Sequence, residues 1–420
     1  MKNKFISLHA FATLAITASA ILTSCSKDDD NTPTPNPVGT TTISGTISSN
    51  QVWTSGSHYI LAGGVHVKEG VTLTIQPGVT VTSSKTEPTV AYLLIERGAK
   101  IMAEGSKTDP IVFTSGQDSP ARGDWGGIII CGNAPINNGT EATAEVGDVL
   151  YGGNVPDDNS GVLKYIRCEY TGNAINSEKE HNGFTFNGVG SGTTVEYLQV
   201  FLGNDDGYEF FGGTVNAKYL VSTGSKDDSF DWTYGWSGKG QFWVGQQKDD
   251  IGDRAGIEAD NNGSDNTATP YSNPILSNLT FIGAEDGDGS NLGLKLREGT
   301  KVTIYNMIVT NMPKRGVQVE HDVTLNNMEN GEIIIKGSIV TNPNRYVYSD
   351  SNGDTFVPTS PFEDDASNAG FDASFLNGYI GTSVANAQDP QTLDPWFSAG
   401  SFIGAVEAGN DWTAGWTKKL

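Results

Sequence analysis

Two ten-residue stretches, 22 positions apart, hold most of the side chains that could do chemistry. Asn204-Asp205-Asp206-Gly207-Tyr208-Glu209-Phe210-Phe211-Gly212-Gly213 is echoed by Lys226-Asp227-Asp228-Ser229-Phe230-Asp231-Trp232-Thr233-Tyr234-Gly235, acid over acid and aromatic over aromatic. Repetition at such a distance has the length of one solenoid coil. Strand-turn-strand units stacked at that period bring equivalent carboxylates to about 4.8 Å, the spacing of neighbouring strands. Like charges so close repel one another, and a divalent cation is the simplest compensation.

The repeat continues on both sides. Gly183-Phe184-Thr185-Phe186, Gly256-Ile257-Glu258-Ala259, Gly293-Leu294-Lys295-Leu296 and Gly316-Val317-Gln318-Val319 share the order small, apolar, polar, apolar. The polar column is therefore Thr185, Glu209, Asp231, Glu258, Lys295, Gln318. Two residues further on it is Asn187, Phe211, Thr233, Asp260, Arg297, Glu320. With the turn acids, the candidate metal ligands are Asp205, Asp206, Glu209, Asp227, Asp228, Asp231, Glu258 and Asp260, and Ca2+ is the expected ion.

A second strand type precedes the first in each coil: Tyr197-Leu198-Gln199-Val200, Tyr219-Leu220-Val221-Ser222, Asn278-Leu279-Thr280-Phe281, Asn306-Met307-Ile308-Val309 and Gly337-Ser338-Ile339-Val340. Earlier, Val65-His66-Val67, Leu73-Thr74-Ile75 and Val79-Thr80-Val81 alternate apolar with polar between glycine corners. Alternation of this kind, in recurring columns, predicts an all-β right-handed parallel β-helix over 42–345, buried coil against coil. Insertions near 134–160 and 246–275 should lie outside the cylinder. Residues 346–420, where the columns fade, are expected to form an irregular C-terminal cap over the open sheet edge. Fifty-two glycines suit a chain of strands and turns rather than helices.

The N-terminus carries an address. Lys2 and Lys4 precede an apolar run over 5–21, and Leu22-Thr23-Ser24-Cys25 follows. This resembles a bacterial lipoprotein signal over 1–24, with Cys25 as the lipidated residue. Ser26-Lys27-Asp28-Asp29-Asp30 is similar to the surface-export signal of Bacteroidota lipoproteins, and Pro33, Pro35 and Pro37 make 25–41 an extended tether. The expected location is the outer membrane, lipid-anchored and facing outward. Without the two leader lysines, 24 basic residues remain against 49 acidic ones, which argues against a nucleic-acid partner. Cys131 on an outward position and Cys168 on an inward one are not placed to form a disulfide.

Leu73-Thr74-Ile75-Gln76-Pro77-Gly78, Gly123-Asp124-Trp125-Gly126-Gly127, Asn204-Asp205-Asp206-Gly207 and Phe402-Ile403-Gly404-Ala405-Val406 together resemble Bacteroidota surface lipoproteins with a pectate-lyase-like β-helix. The resemblance implies fold and location but no reaction, because such scaffolds carry lyases, hydrolases and adhesins alike. Acids beside Lys295 and Arg297 are similar to the calcium-dependent polysaccharide lyases of this fold. In that chemistry calcium polarises a uronate carboxylate and Lys295 removes the neighbouring proton, while Arg297 orients the substrate; Glu258 is the third candidate catalytic residue. Flanking acids raise a lysine pKa, which counts against Lys295 as a base. Tyr234, Trp236 and Trp243, in a glycine-rich excursion, are candidate platforms for sugar rings. His58, His66, His181 and His321 are scattered, without the spacing of a transition-metal site. The expected role is binding of extracellular polysaccharide through a calcium-dressed face; the alternatives are a lyase or two-carboxylate glycosidase, and a passive adhesin or stalk.

Overall fold

The computed structural model describes residues 38–420, apart from 176–178, 249–253, 285–290, 342–343, 354 and 357–360. The leader over 1–24, Cys25 and the tether up to residue 37 lie outside the described residues. Alternation decides the local structure: His58–Val67 runs half-buried, buried, half-buried along all ten residues. Every second side chain of such a strand points to one face, and here that face is the inside of a cylinder.

The strands stack in parallel into three ladders. One runs from Gln51–Trp53 through Thr72–Ile75 and Lys100–Glu104. A second runs from the first half of His58–Val67 through Thr80–Ser83 and Ile111–Thr114. The third runs from the second halves of Thr40–Ile47 and His58–Val67 through Tyr92–Ile95 and Ile128–Cys131 and continues through Phe184–Asn187, Tyr208–Phe211, Phe230–Thr233, Ala255–Ala259, Leu292–Leu296, Arg315–Glu320 and Tyr346–Ser349. This is a parallel β-helix, with its core inside the coils. Aromatic rings fill much of the middle section: Tyr208 stacks on Phe230 at 5.1 Å and Phe186 on Phe210 at 5.1 Å.

From Gly161–Glu169 onward the first two ladders fuse into single strands that bend in the middle. The bend residues Tyr165, Tyr197, Tyr219, Phe242, Asn278 and Asn306 all have positive φ, between 49° and 63°. Bulky side chains are strained there, whereas asparagine tolerates the conformation. Stacking offsets the strain at the first four: ring centroids lie 4.4, 4.3 and 5.0 Å apart along the column. Where the rings stop, asparagine takes over, and Gly337 follows at φ 65°.

The C-terminal segment has two parts. Its first part does cover the end of the cylinder: Phe362 packs on Tyr346 at 5.6 Å, and Asn368 donates to the Ile335 and Phe362 carbonyls at 2.6 and 3.0 Å. The remainder, including Phe402–Val406 and Trp412–Trp416, turns back and runs along the bent-strand corner. Asn306 donates to the Gln388 carbonyl at 2.8 Å, Asn278 to Phe402 at 2.7 Å, Gln241 to Ser398 at 2.9 Å, Gln199 to Lys418 at 2.7 Å and Arg167 to Trp416 at 2.6 Å. Trp412 and Trp416 meet the tyrosine column edge-on. Beneath this strap the outward residues Val221, Val244 and Ile308 are buried against Tyr379, Val406 and Ile403.

Two smaller features were not legible as repeats. An α-helix, Asp322–Glu329, follows the third ladder's strand Arg315–Glu320 and adds Leu325 and Met328 to the core. The 134–160 insertion holds an antiparallel hairpin, Ala142–Thr143 with Leu150–Tyr151. Both remaining cysteines are free and buried. Among the described residues no helix is long and apolar enough to cross a membrane.

Asn278 tests the strap. Asn278→Ala removes four hydrogen bonds, two donated to the Gly400 and Phe402 carbonyls and two accepted from Gln241 and Ser277, together with the residue best suited to the bend, and should cost about 1–3 kcal/mol. Asn278→Gly, which keeps the conformation, should lose less. Melting temperature and proteolytic release of the 369–420 segment measure both.

Candidate functional site

The polar positions of the third ladder stand in register. Thr185 lies beside Glu209, Glu209 beside Asp231, Asp231 beside Glu258, Glu258 beside Lys295 and Lys295 beside Gln318. The turn acids join them. Asp206 accepts the Asp228 backbone N–H at 2.9 Å, and Asp228 in turn accepts the N–H of Ala255. Asp206 and Asp228 are thus pinned to the coil above each of them.

Insertions complete the walls. Leu94, Ile129, Cys131 and Phe211, outward on the same ladder, are covered by Ile136, Val146 and Tyr151 of the hairpin insertion. Seated there, the hairpin presents Glu145, while Glu180 and Arg254 come from the segments just before two ladder strands. The result is a cleft of about 500 Å³ lined, among the described residues, by nine carboxylates and by the basic side chains of Lys295 and Arg254. Glu145, Glu180 and Arg254 could not have been found from the repeat, because none occupies a recurring column.

Electrostatics dominate this cleft. Burial, the Glu180 charge and the Asp227 charge push Asp205 up to about 9. Asp206, Glu209, Asp228 and Asp231 are all raised well above the carboxylate range, first by burial and then by the neighbouring acids. Oxygens of Asp205, Asp206 and Asp227 lie within 4.8 Å of one another, as do those of Asp206, Glu209 and Asp231 and those of Asp228, Asp231 and Glu258. Two oxygens on one Ca2+ at 2.3–2.6 Å are at most about 5 Å apart, so each group can hold an ion. Asp231 Oδ1 is buried and has no hydrogen-bond partner among the described residues. An orphaned anionic oxygen at that depth is costly unless a cation or proton meets it.

The ladder's upper end is neutralised by protein. Lys295 bonds Glu258 at 2.7 Å, and Arg297 bonds Asp260 at 2.7 and 3.0 Å while also reaching Glu258. Burial pulls Lys295 down, but the Glu258 charge and hydrogen bond outweigh it and the ammonium is held above its ordinary value. Arg297 is likewise raised, the Asp260 bond overcoming burial. Asp260 sits at about 7, raised by burial against the pull of Arg297. Lys295 and Arg297 therefore serve as counter-ions. A lysine bonded to an acid keeps its proton, which disfavours the proton-abstracting role expected of Lys295.

The aromatic platform is corrected. Trp236 and Trp243 are 0% exposed. Trp236 stacks on Phe210 at 4.4 Å and donates to the Val215 carbonyl, and Trp243 stacks on Phe230 at 4.5 Å and donates to Ala217. Phe242-Trp243-Val244-Gly245 is a further coil of the second strand type, with Trp243 registered beside Leu220 and Leu279. Gly245 at a normally larger position hid the pattern. Tyr234 remains half-buried, 5.9 Å from Phe211, and does not line the cleft.

Residues 45–417 match the model of the family described as pectate-lyase like beta helix domain. The chain belongs to that family. No curated protein and no solved structure matches it. Membership in the pectate-lyase-like β-helix family accounts for the three ladders; the acid cleft is built on them by this chain's own side chains.

Carboxyls held above their unfolded values bind more protons in the folded chain than in the unfolded one. Their stabilisation is complete below about pH 4 and is lost as pH rises toward the folded value, about 9 for Asp205. In chelator, the melting temperature should fall by several degrees from pH 5 to pH 8.5. Saturating calcium should flatten that slope.

Proposed function

We propose that this β-helix is a calcium-binding protein whose cleft holds oxygen-rich extracellular ligands, polysaccharide in particular, through the bound ions. The observation that carries the reading is Asp231, which belongs to two of the three oxygen groups and has an unpartnered buried oxygen. Asp206 is likewise shared between two groups, so neighbouring ions would be bridged by common carboxylates. Calcium takes six to eight oxygens. Three carboxylates seldom supply them all, which leaves coordination positions for water or for the hydroxyl and carboxylate oxygens of a sugar. The fold of the family supports a polysaccharide-related role.

Binding is favoured over turnover by two features. Lys295 is held protonated by Glu258, so elimination lacks the base first considered for it. Two-carboxylate hydrolysis needs an acid and a base whose pKa values are driven apart. Here the shifted carboxyls of the cleft all move upward together. Placement at the cell surface through a lipid on Cys25 is part of the same proposal, supported by the Leu22-Thr23-Ser24-Cys25 run; Cys25→Ala should abolish incorporation of labelled palmitate and release the chain from membranes.

Calcium titration of the folded chain tests the centre of the reading. A ligand at 100 times its Kd stabilises by about 2.7 kcal/mol, so millimolar calcium should raise the melting temperature measurably. Asp231→Asn should remove most of that rise while stabilising the chelated protein. A chain whose melting curve and heat of titration ignore calcium would falsify the proposal.

A further inference from the structure

The first coil of the cylinder, Thr40–Ile47 with Gln51–Trp53, is paired on one side. Among the described residues Thr40–Ile47 pairs with His58–Val67 alone, and Gln51–Trp53 with Thr72–Ile75 alone. His58 donates its backbone N–H to the Gly39 carbonyl, and Lys68 donates to that of Ile47. Successive peptide groups of a strand turn to opposite sides. Thr40, Thr42 and Thr46 therefore direct their N–H and C=O groups away from the cylinder, and all three side chains are exposed.

Edges of natural sheets are usually blunted by lysine, by proline or by an overlying helix. This one is not. The twenty residues 38–57 include no charged residue, no histidine and no proline. At the opposite end Phe362, from the helix Pro361–Asp364, packs on Tyr346 of the third ladder. Nor does the core call for cover at the first coil, since Trp53 is fully buried and stacks on Tyr59 at 4.7 Å. What this end leaves open is backbone.

Charge is apportioned in the same sense. Residues 38–117 hold five basic and five acidic residues, and residues 1–37 hold three of each, so the whole net charge of −23 belongs to 118–420. Two copies of a chain so acidic repel one another wherever their later coils meet. Repulsion is least where the neutral first coils come together end to end.

We propose that the chain forms a two-fold dimer in which the Thr40–Ile47 edges of two copies pair end to end. The two-fold axis reverses the second strand, so the pairing is antiparallel and every contact occurs twice. Threonine hydroxyls on the two edges then face one another, a favourable cross-strand pairing. An unrelated peptide would meet the same peptide groups, but the edge offers no charged side chain to select it. Because the far end is covered, the contact does not repeat head to tail, and assembly stops at two rather than growing into a fibre. The acid cleft lies in later coils and stays open on both copies.

Photo-cross-linking tests the junction. The full chain carries benzoylphenylalanine at Thr42, and heavy-isotope-labelled and unlabelled protein are mixed in equal amounts. Links that join a labelled copy to an unlabelled one within 38–57 are expected. Links from residue 42 to residues 1–37 of its own chain, or no link to a second copy, overturn the proposal. Sedimentation of the full chain with Cys25→Ala, which carries no lipid, should give the mass of two chains at micromolar concentration. Thr42→Lys sets two like charges in the junction and should weaken the pair about ten-fold or more. Thr42→Pro removes an open-side N–H without touching the ladder and should do the same. Asp364→Lys, exposed on the helix at the covered end, should leave the dimer intact. Equal melting temperatures of the dilute monomers would show that lost pairing is not lost folding. A wild type that sediments as one chain, or a dimer that survives both edge substitutions, overturns the proposal.

Discussion

Register along the cylinder is the constraint on which the site depends. Parallel pairing translates each coil by one strand spacing, so whatever occupies a position in one coil is repeated against the next. For apolar residues this is favourable: each buried aliphatic contributes about 1.5–3 kcal/mol, and rings such as Tyr208 and Phe230 stack face to face. For carboxylates it is costly, because Glu209, Asp231 and Glu258 cannot move apart while their strands remain paired. Geometry that makes the core cheap to build makes this flank expensive, and the chain meets the cost in two ways. At Glu258 and Asp260 it supplies Lys295 and Arg297. Lower down it leaves the acids crowded.

Crowding of that kind differs from an ordinary charged face. A solvated ladder would keep its acids exposed and screened by water. Here hairpin, turn and ladder enclose them, and the pinning of Asp206 and Asp228 by backbone N–H groups keeps them from swinging outward. A set of oxygens held in this way would need little reorganisation to meet a cation.

How far this was legible in the chain follows from periodicity. The acid column, its register and the two counter-ions could be aligned because each recurs at a coil's length. Trp243 was misplaced because Phe242 adopts a left-handed bend and Gly245 interrupts the alternation, so the unit looked like a loop. Glu145 and Glu180 lie outside the columns, and only the folded insertions bring them to the ladder. The strap was invisible for the same reason: residues 369–420 match the corner they cover through single hydrogen bonds, not through any repeat of their own. Asn278 and Asn306 offered the one clue, two asparagines heading strands where tyrosine stood before, though their partners at Phe402 and Gln388 lie about a hundred residues away.

That strap changes what kind of object the solenoid is. Stacked repeats ordinarily couple only to their neighbours, so they can fray from either end and fold piecemeal. Here Lys418 and Trp416 are held by Gln199 and Arg167, clasping coils more than two hundred positions earlier. Fraying among the coils from Arg167 to Asn306 must then release the strap, and that stretch of a quasi-linear array is tied into one cooperative unit.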